Sequence, residues 1–332
     1  MRILNGSVSS PFLLGVLFLF GFLFSCASPE EKKQGHYDRG LNYVSAQKAD
    51  EAIIEFRNVI QIDPDHADAK YQLALLYMQQ GGLSNLQNAF KMLSEAVLVK
   101  PALVDAQVKL GVFYFLSNDL ENAGKKAELV LEKEPDNQDA HLIQARVYLR
   151  KEQLDEAEAA YLRVLALGPN DLVPHYELTD LYIKKQDFNR AKSLLEKALS
   201  LDEQNVTSHV MFARFYQMTK KTEEAETFYK KAIDLSQKDK MLYFSLADFY
   251  VTEKRFEDAR KTLVAAAQID VKDPIPLIAL GDFSAARGAL DDSEAFFLKA
   301  KGLETEGSIG GKRLAKLYLI QGQPERVAQE VC

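Results

Sequence analysis

The chain has 332 residues, 47% hydrophobic and 27% charged, with a formal net charge of -7. These are globular, mildly acidic values without basic runs, which argues against long disorder and against nucleic acid as a partner. The two cysteines, Cys26 and Cys332, stand near opposite ends and give neither a metal-ligand spacing nor a disulfide framework.

Arg2 is the only charge ahead of a nearly unbroken apolar run from Pro11 to Phe24, which is followed by Ser25, Cys26 and a polar stretch rich in Glu and Lys. Fourteen residues make roughly 21 Å of helix, short of the roughly 30 Å hydrocarbon core. The segment 1–25 therefore reads as a signal peptide, with a simple transmembrane anchor as the alternative. Its end, Leu23-Phe24-Ser25-Cys26, resembles the bacterial lipobox, although Phe24 is larger than that pattern prefers. The resemblance implies a lipid on Cys26, which would hold the protein to the membrane, with residues 26–35 as a lipidated cysteine and polar tether. Residues 27–35 reach at most about 30 Å as an extended leash. No acidic residue follows Cys26 directly, which in the sorting rule of such lipoproteins favours the outer membrane, facing the periplasm.

From about residue 33 onward the chain repeats itself. In 138–171, two apolar-periodic helices are predicted over Asp139–Lys151 and Leu154–Leu167, joined by a short polar turn and closed by Gly168-Pro169-Asn170. An aromatic column, Tyr43, Tyr77, Tyr114, Tyr148, Tyr182, Tyr216 and Tyr250, continues through Ser284 to Tyr318. A small-residue column runs Ala52, Ala89, Ala123, Ala157, Ala191, Ala225, Ala259, Ser293, then Val327. Every step is 34 residues except one of 37 in each column, and the three extra residues fall between Tyr77 and Ala89. The expectation is a longer loop around Gln79-Gln80-Gly81-Gly82-Leu83.

Thirty-four residues with small and aromatic side chains in this order resembles the tetratricopeptide repeat. The second unit carries Leu73, Ala74, Tyr77, Ala89, Leu93, Ala96 and Pro101; the first carries Gly40, Tyr43, Ala52, Phe56 and Pro64. The sequence departs from the pattern in lacking Trp, in losing the closing Pro after the fifth to eighth units, and in Ser284 and Ser293. The resemblance implies an all-α fold, a right-handed α-solenoid of about eight helical hairpins at 33–66, 67–103, 104–137, 138–171, 172–205, 206–239, 240–273 and 274–307. A partial ninth occupies 308–332. Its second helix, opened by Pro324, is cut at Cys332, so it is either an abbreviated cap or, the reading preferred, the point where a longer array was interrupted.

His36, His141, His175 and His209 share one repeat column, a packing position, and lie too far apart to hold one metal ion. His66 reads as a solvated turn residue. No phosphate-binding glycine loop, zinc-protease motif or nucleophile elbow is present. The expectation is a non-enzymatic protein without cofactor, metal or small-molecule substrate, binding a protein or peptide in the concave groove that the family resemblance places on the first helices. The groove positions so implied include Tyr71, Val112, Phe115, Arg146, Arg150, Tyr176, Lys184, Arg214 and Phe244. The cations among them could hold a carboxylate-bearing peptide, or pair with Asp180, Asp139 or nearby Glu residues. Lipoproteins of this kind serve pilus assembly, outer-membrane biogenesis, peptidoglycan-enzyme docking and polysaccharide export. The alternative to a free-standing scaffold is the N-terminal part of a larger export or assembly component.

Overall fold

The computed structural model describes residues 28–304 and 308–331, so the signal segment, Cys26 and Cys332 lie outside the described residues. Among the described residues there are eighteen α-helices and no strand. None of these helices is long and apolar enough to cross a membrane. The chain forms two compact units, one ending at Leu110 and one beginning at Gly111.

The first unit holds two full hairpins, α1 (Pro29–Ser45) with α2 (Ala49–Ile62), and α3 (Ala67–Gln80) with α4 (Leu83–Val99), followed by the start of α5 (Val104–Leu116). Two expectations change here. The polar stretch expected as an extended leash is helical from Pro29, because the Ser28 hydroxyl accepts from the Glu31 backbone N–H while the Glu31 carboxylate accepts from the Ser28 N–H. This reciprocal capping, with Pro at the first helical position, starts the helix well ahead of the repeat boundary. The three inserted residues, expected in a loop, instead lengthen α4 to 17 residues, whereas α2 has 14. Gly81 and Gly82, at φ of 65° and 80°, turn the chain in two residues and leave the surplus to wind as helix. The extra turn exposes Leu83 and Leu86. His66 is not a free turn residue: its Nδ1 caps α3 by accepting from the Ala69 N–H at 3.1 Å, and its ring lies 4.9 Å from that of Tyr37.

In the second unit the rest of α5 is followed by α6 (Leu120–Leu131), α7 (Gln138–Arg150), α8 (Leu154–Leu167), α9 (Leu172–Lys184) and α10 (Phe188–Leu201). Then come α11 (Val206–Met218), α12 (Thr222–Leu235), α13 (Lys240–Thr252) and α14 (Phe256–Ile269). The unit closes with α15 (Ile275–Ala286), α16 (Leu290–Leu303), α17 (Ile309–Ile320) and α18 (Pro324–Val331). From α7 onward each odd-numbered helix packs on the even one that follows, and each hairpin on the next. Ala123, Ala157, Ala191, Ala225, Ala259 and Ser293 have no exposed surface, since the absence of bulk is what lets neighbouring helices close up. The fit is tightest at Gly281, where an added Cβ would stand 2.3 Å from the buried Phe297 ring.

Most intra-hairpin turns place one residue at positive φ in the same repeat position: Gln47, Asn118, Glu152, Gln186, Lys220, Lys254, Gly288 and Gly322. Across the second unit the hairpins also alternate with a period of two. Glu158, Glu226 and Glu294 each accept a hydrogen bond from a buried tyrosine of the next hairpin: Tyr182 at 3.2 Å, Tyr250 at 2.8 Å and Tyr318 at 3.1 Å. Each carboxylate also pairs with an arginine, Arg190, Arg255 or Arg326, whose guanidinium lies over that tyrosine ring at 4.2, 4.5 and 3.9 Å. The intervening hairpins carry Lys192 and Arg260 at the corresponding positions.

These clasps respond to acid. Burial alone would raise the Glu226 pKa, but hydrogen bonds from Arg255, Lys230 and Tyr250 outweigh it and bring it down from 4.5 to about 2. A carboxyl whose pKa is depressed on folding contributes stability that is complete above about pH 4.5 and is lost as the pH falls towards 2. Denaturant unfolding followed by circular dichroism at pH 7, 4 and 2.5 is expected to show falling stability. Glu226→Gln is expected to lower stability at pH 7 by roughly 1 kcal/mol and to flatten the acid dependence.

Candidate functional site

The first helices of the second unit place one residue per hairpin in a single repeat column, Val112, Arg146, Asp180, Arg214, Asp248, Asp282 and Lys316. Next to Arg146 and Asp180 a cavity of about 200 Å³ opens. Phe115 from α5 forms one wall, Arg146, Leu149 and Arg150 from α7 another, and Glu177 and Asp180 from α9 the third; Tyr161 of α8 lies at its base.

The charged groups in it are differently committed. Arg146 grips Glu177 with two nitrogens, Nε at 3.0 and 3.1 Å from the two carboxylate oxygens and a terminal nitrogen at 2.7 Å. The fully buried Tyr161 donates its hydroxyl to the same carboxylate at 3.1 Å, and burial, reinforced by that neighbouring charge, pushes the phenol far above its ordinary range. Arg146 is thus held as part of a planar, charge-assisted pair with little freedom to leave it. Arg150 lies 5.3 Å from the Phe115 ring centre and forms no ion pair among the described residues. Asp180 is open to water but walled by neighbouring helices; desolvation raises its pKa, Arg214 opposes the shift and Glu177 adds to it. The cavity therefore offers an apolar wall, one closed ion pair, one open guanidinium and one carboxyl that ionises reluctantly. An apolar cavity of about 150 Å³ is large enough for benzene, so this one admits an aromatic or branched apolar side chain with an anionic group beside it.

Of the residues inferred from the sequence, Phe115, Arg146 and Arg150 come together here. Val112 is half-buried on α5 but is not among the lining residues. Tyr176 is half-buried against the core, and its hydroxyl is tied to Asn205 at 3.0 Å and Ser208 at 2.7 Å, across the junction with α11. Lys184 pairs with Glu152 at 3.1 Å. Arg214 is exposed, close enough to act on Asp180. Phe244 packs against the Ala247–Leu263–Leu280 cluster, and Tyr71, half-buried, belongs to the first unit. The sequence column did not bring in Leu149, Tyr161 or Glu177. Glu177 differs in chemistry from its repeat equivalents, among them Ile143, Met211 and Ser245, which is the available signal.

The histidines are tethers. His36 contacts Glu55 at 2.5 Å, His175 donates to the Asp171 carbonyl at 2.7 Å, and His141 and His209 donate to the carbonyls of Pro135 and Glu203, at 2.9 and 3.0 Å.

Known proteins fit this architecture. Family models described as TPR repeat and tetratricopeptide repeat match residues 40–81, 140–173 and 182–240, and the second ARM domain of tetratricopeptide repeat protein 21 matches 77–152. The chain belongs to the tetratricopeptide repeat family. No curated protein matches it. Among solved structures, yeast Tom70 is similar over 93% of this chain and 69% of its own, at 14% identity and a TM-score of 0.64. PilF of Pseudomonas aeruginosa is similar over 68% of this chain and 99% of its own, at 17% identity and a TM-score of 0.54. PilW, described as a type IV pilus biogenesis factor, is similar over 61% and 92%, at 17% identity and 0.54. At such identities the likeness is one of fold.

Because Arg146 closes on Glu177 within a partly buried wall, Arg146→Met is expected to lower unfolding stability by about 1–2 kcal/mol. Hydrogen exchange of the α7–α9 amides, faster in the variant than in the parent, checks that the loss is local.

Proposed function

We propose that the protein is a non-enzymatic scaffold that holds a segment of a partner protein on the first-helix face of its second unit, anchored in the bacterial cell envelope by a lipid on Cys26. The observation that carries the binding reading is the α5–α9 cavity. Its Arg150 guanidinium lies over the apolar Phe115 wall and forms no ion pair among the described residues, while Arg146, Glu177 and Tyr161 hold the frame rigid. A preformed cavity of this kind binds without having to be ordered first. The envelope reading is supported by the apolar run Pro11–Phe24 ending at Ser25-Cys26. The fold likeness to PilF and PilW is compatible with it, and an assembly role at the envelope is the finer version of this reading.

Two measurements test it. A photo-crosslinking amino acid at Leu149, activated in intact cells and followed by mass spectrometry, is expected to trap one dominant protein; Phe115→Ala with Arg150→Glu should reduce that product at least tenfold at unchanged helical content. Undiminished crosslinking would move the site elsewhere. For the anchor, Cys26→Ser is expected to abolish labelling by a palmitate analogue and release the protein from the membrane fraction; unchanged labelling would refute lipidation at Cys26.

A further inference from the structure

Four hairpins beyond the α5–α9 cavity, a second cavity of about 270 Å³ opens between α15, α16 and α17, and it occupies the same repeat positions as the first. Phe297 takes the place of Tyr161, and Ile320 that of Lys184. The ion pair is inverted: Asp282 stands where Arg146 does, and Arg313, 3.1 Å from it, stands in place of Glu177. Lys316 replaces Asp180, is exposed, and makes no ion pair among the described residues. Arg313 Nε is near Asp282 but not aligned to donate to it, which leaves a buried N–H without an acceptor. A buried donor left unsatisfied is unfavourable, and an incoming carboxylate would relieve it.

Read along the first helices, the face is cationic at α7 (Arg146, Arg150), anionic at α9 (Glu177, Asp180), then carries Arg214, Asp248 and Asp282, and is cationic again at α17 (Arg313, Lys316). Each cavity combines an apolar wall with a lining cation that forms no ion pair among the described residues, Arg150 or Lys316. Asp180 lines the first cavity and Asp282 the second, where it pairs with Arg313, and between the two cavities this column carries one cation and one anion, Arg214 and Asp248. We propose that the two cavities are paired subsites for one extended polypeptide segment whose ends each carry an apolar anchor beside an Asp or Glu side chain. This rests on the binding reading above and adds the second subsite and the acidic character of the partner's two anchors. Joining two weak anchors on one segment makes the second contact intramolecular, so modest individual contacts give a firm complex. From Arg150 on α7 to Lys316 on α17, five steps between neighbouring first helices at roughly 10 Å each come to roughly 50 Å, which is spanned by about 15 extended residues.

The test uses fluorescence anisotropy with the full chain and two synthetic sixteen-residue peptides, acetylated and amidated so that side chains are the only source of carboxylate. One has Glu-Phe and Phe-Glu ends and the other Lys-Phe and Phe-Lys ends, with the same uncharged serine-glycine centre. The acidic-ended peptide is expected to bind at least tenfold more tightly, and Arg150→Glu and Lys316→Glu are each expected to weaken it roughly tenfold, with Lys316→Met intermediate and helical content unchanged. Equal binding of the two peptides, or binding of neither, overturns the proposal. Sensitivity to Arg150→Glu with indifference to Lys316→Glu overturns the second subsite and leaves the first cavity as the binding site; indifference to both overturns the two together.

Discussion

The structure depends on close approach between helices whose contact residues are too small to hold them apart. Ala52, Ala89, Ala123, Ala157, Ala191, Ala225, Ala259 and Ser293 are entirely withdrawn from water, and at Gly40 and Gly281 a phenylalanine ring of the paired helix, Phe56 or Phe297, takes the space a side chain would need. A single hairpin has too little apolar surface facing inward to offset the entropy of ordering it, so its face is completed by the hairpin that follows. Stability is consequently a property of junctions. That is why the polar groups with the strongest environmental effects, Glu226 with Tyr250 and Arg255, or Glu177 with Arg146 and Tyr161, sit between hairpins rather than within them.

The same arrangement leaves the first helices free to vary on their outward side. Packing fixes the small and aromatic columns and leaves one residue per hairpin nearly unconstrained. In the second unit that freedom is used to write a sequence of charges, from Arg146 through Asp180, Arg214, Asp248 and Asp282 to Lys316. Where the neighbouring positions are also small or flat, as at Phe115 and Leu149 or at Ala285 and Ala286, the wall recedes and a cavity forms. Scaffold and recognition surface are therefore separable on the same helix, and a substitution on one side need not disturb the other.

The fold was largely legible because it is periodic. The helices predicted over Asp139–Lys151 and Leu154–Leu167 are found at Gln138–Arg150 and Leu154–Leu167. The columns failed where local chemistry competes with the period. Ser28-Pro29-Glu30-Glu31 is a helix start that composition disguised as a tether, and Gly81-Gly82 shortened a turn that counting had lengthened. At the candidate site, column positions gave Phe115, Arg146 and Arg150, but not the Glu177 partner, which depends on how two neighbouring helices rotate against each other. Tyr176 shows the converse, a column position turned into the next junction and fastened there by Asn205 and Ser208. The two-hairpin alternation was present in the sequence as Glu158, Glu226 and Glu294, and comparing hairpins one at a time concealed it.

That alternation bears on how an array like this can change length. If one hairpin, 172–205, were lost, Glu158 would meet Tyr216 with Glu224 in the place of Arg190 and with Lys221, which lies over the Tyr216 ring, in the place of Arg255, so a single point charge would replace the guanidinium fork. If two were lost together, 172–239, Glu158 would meet Tyr250 and Arg255, and a clasp of the existing kind would re-form. In this half of the chain a change of length by two hairpins thus keeps the arginine clasp, whereas a change by one exchanges it for a lysine contact.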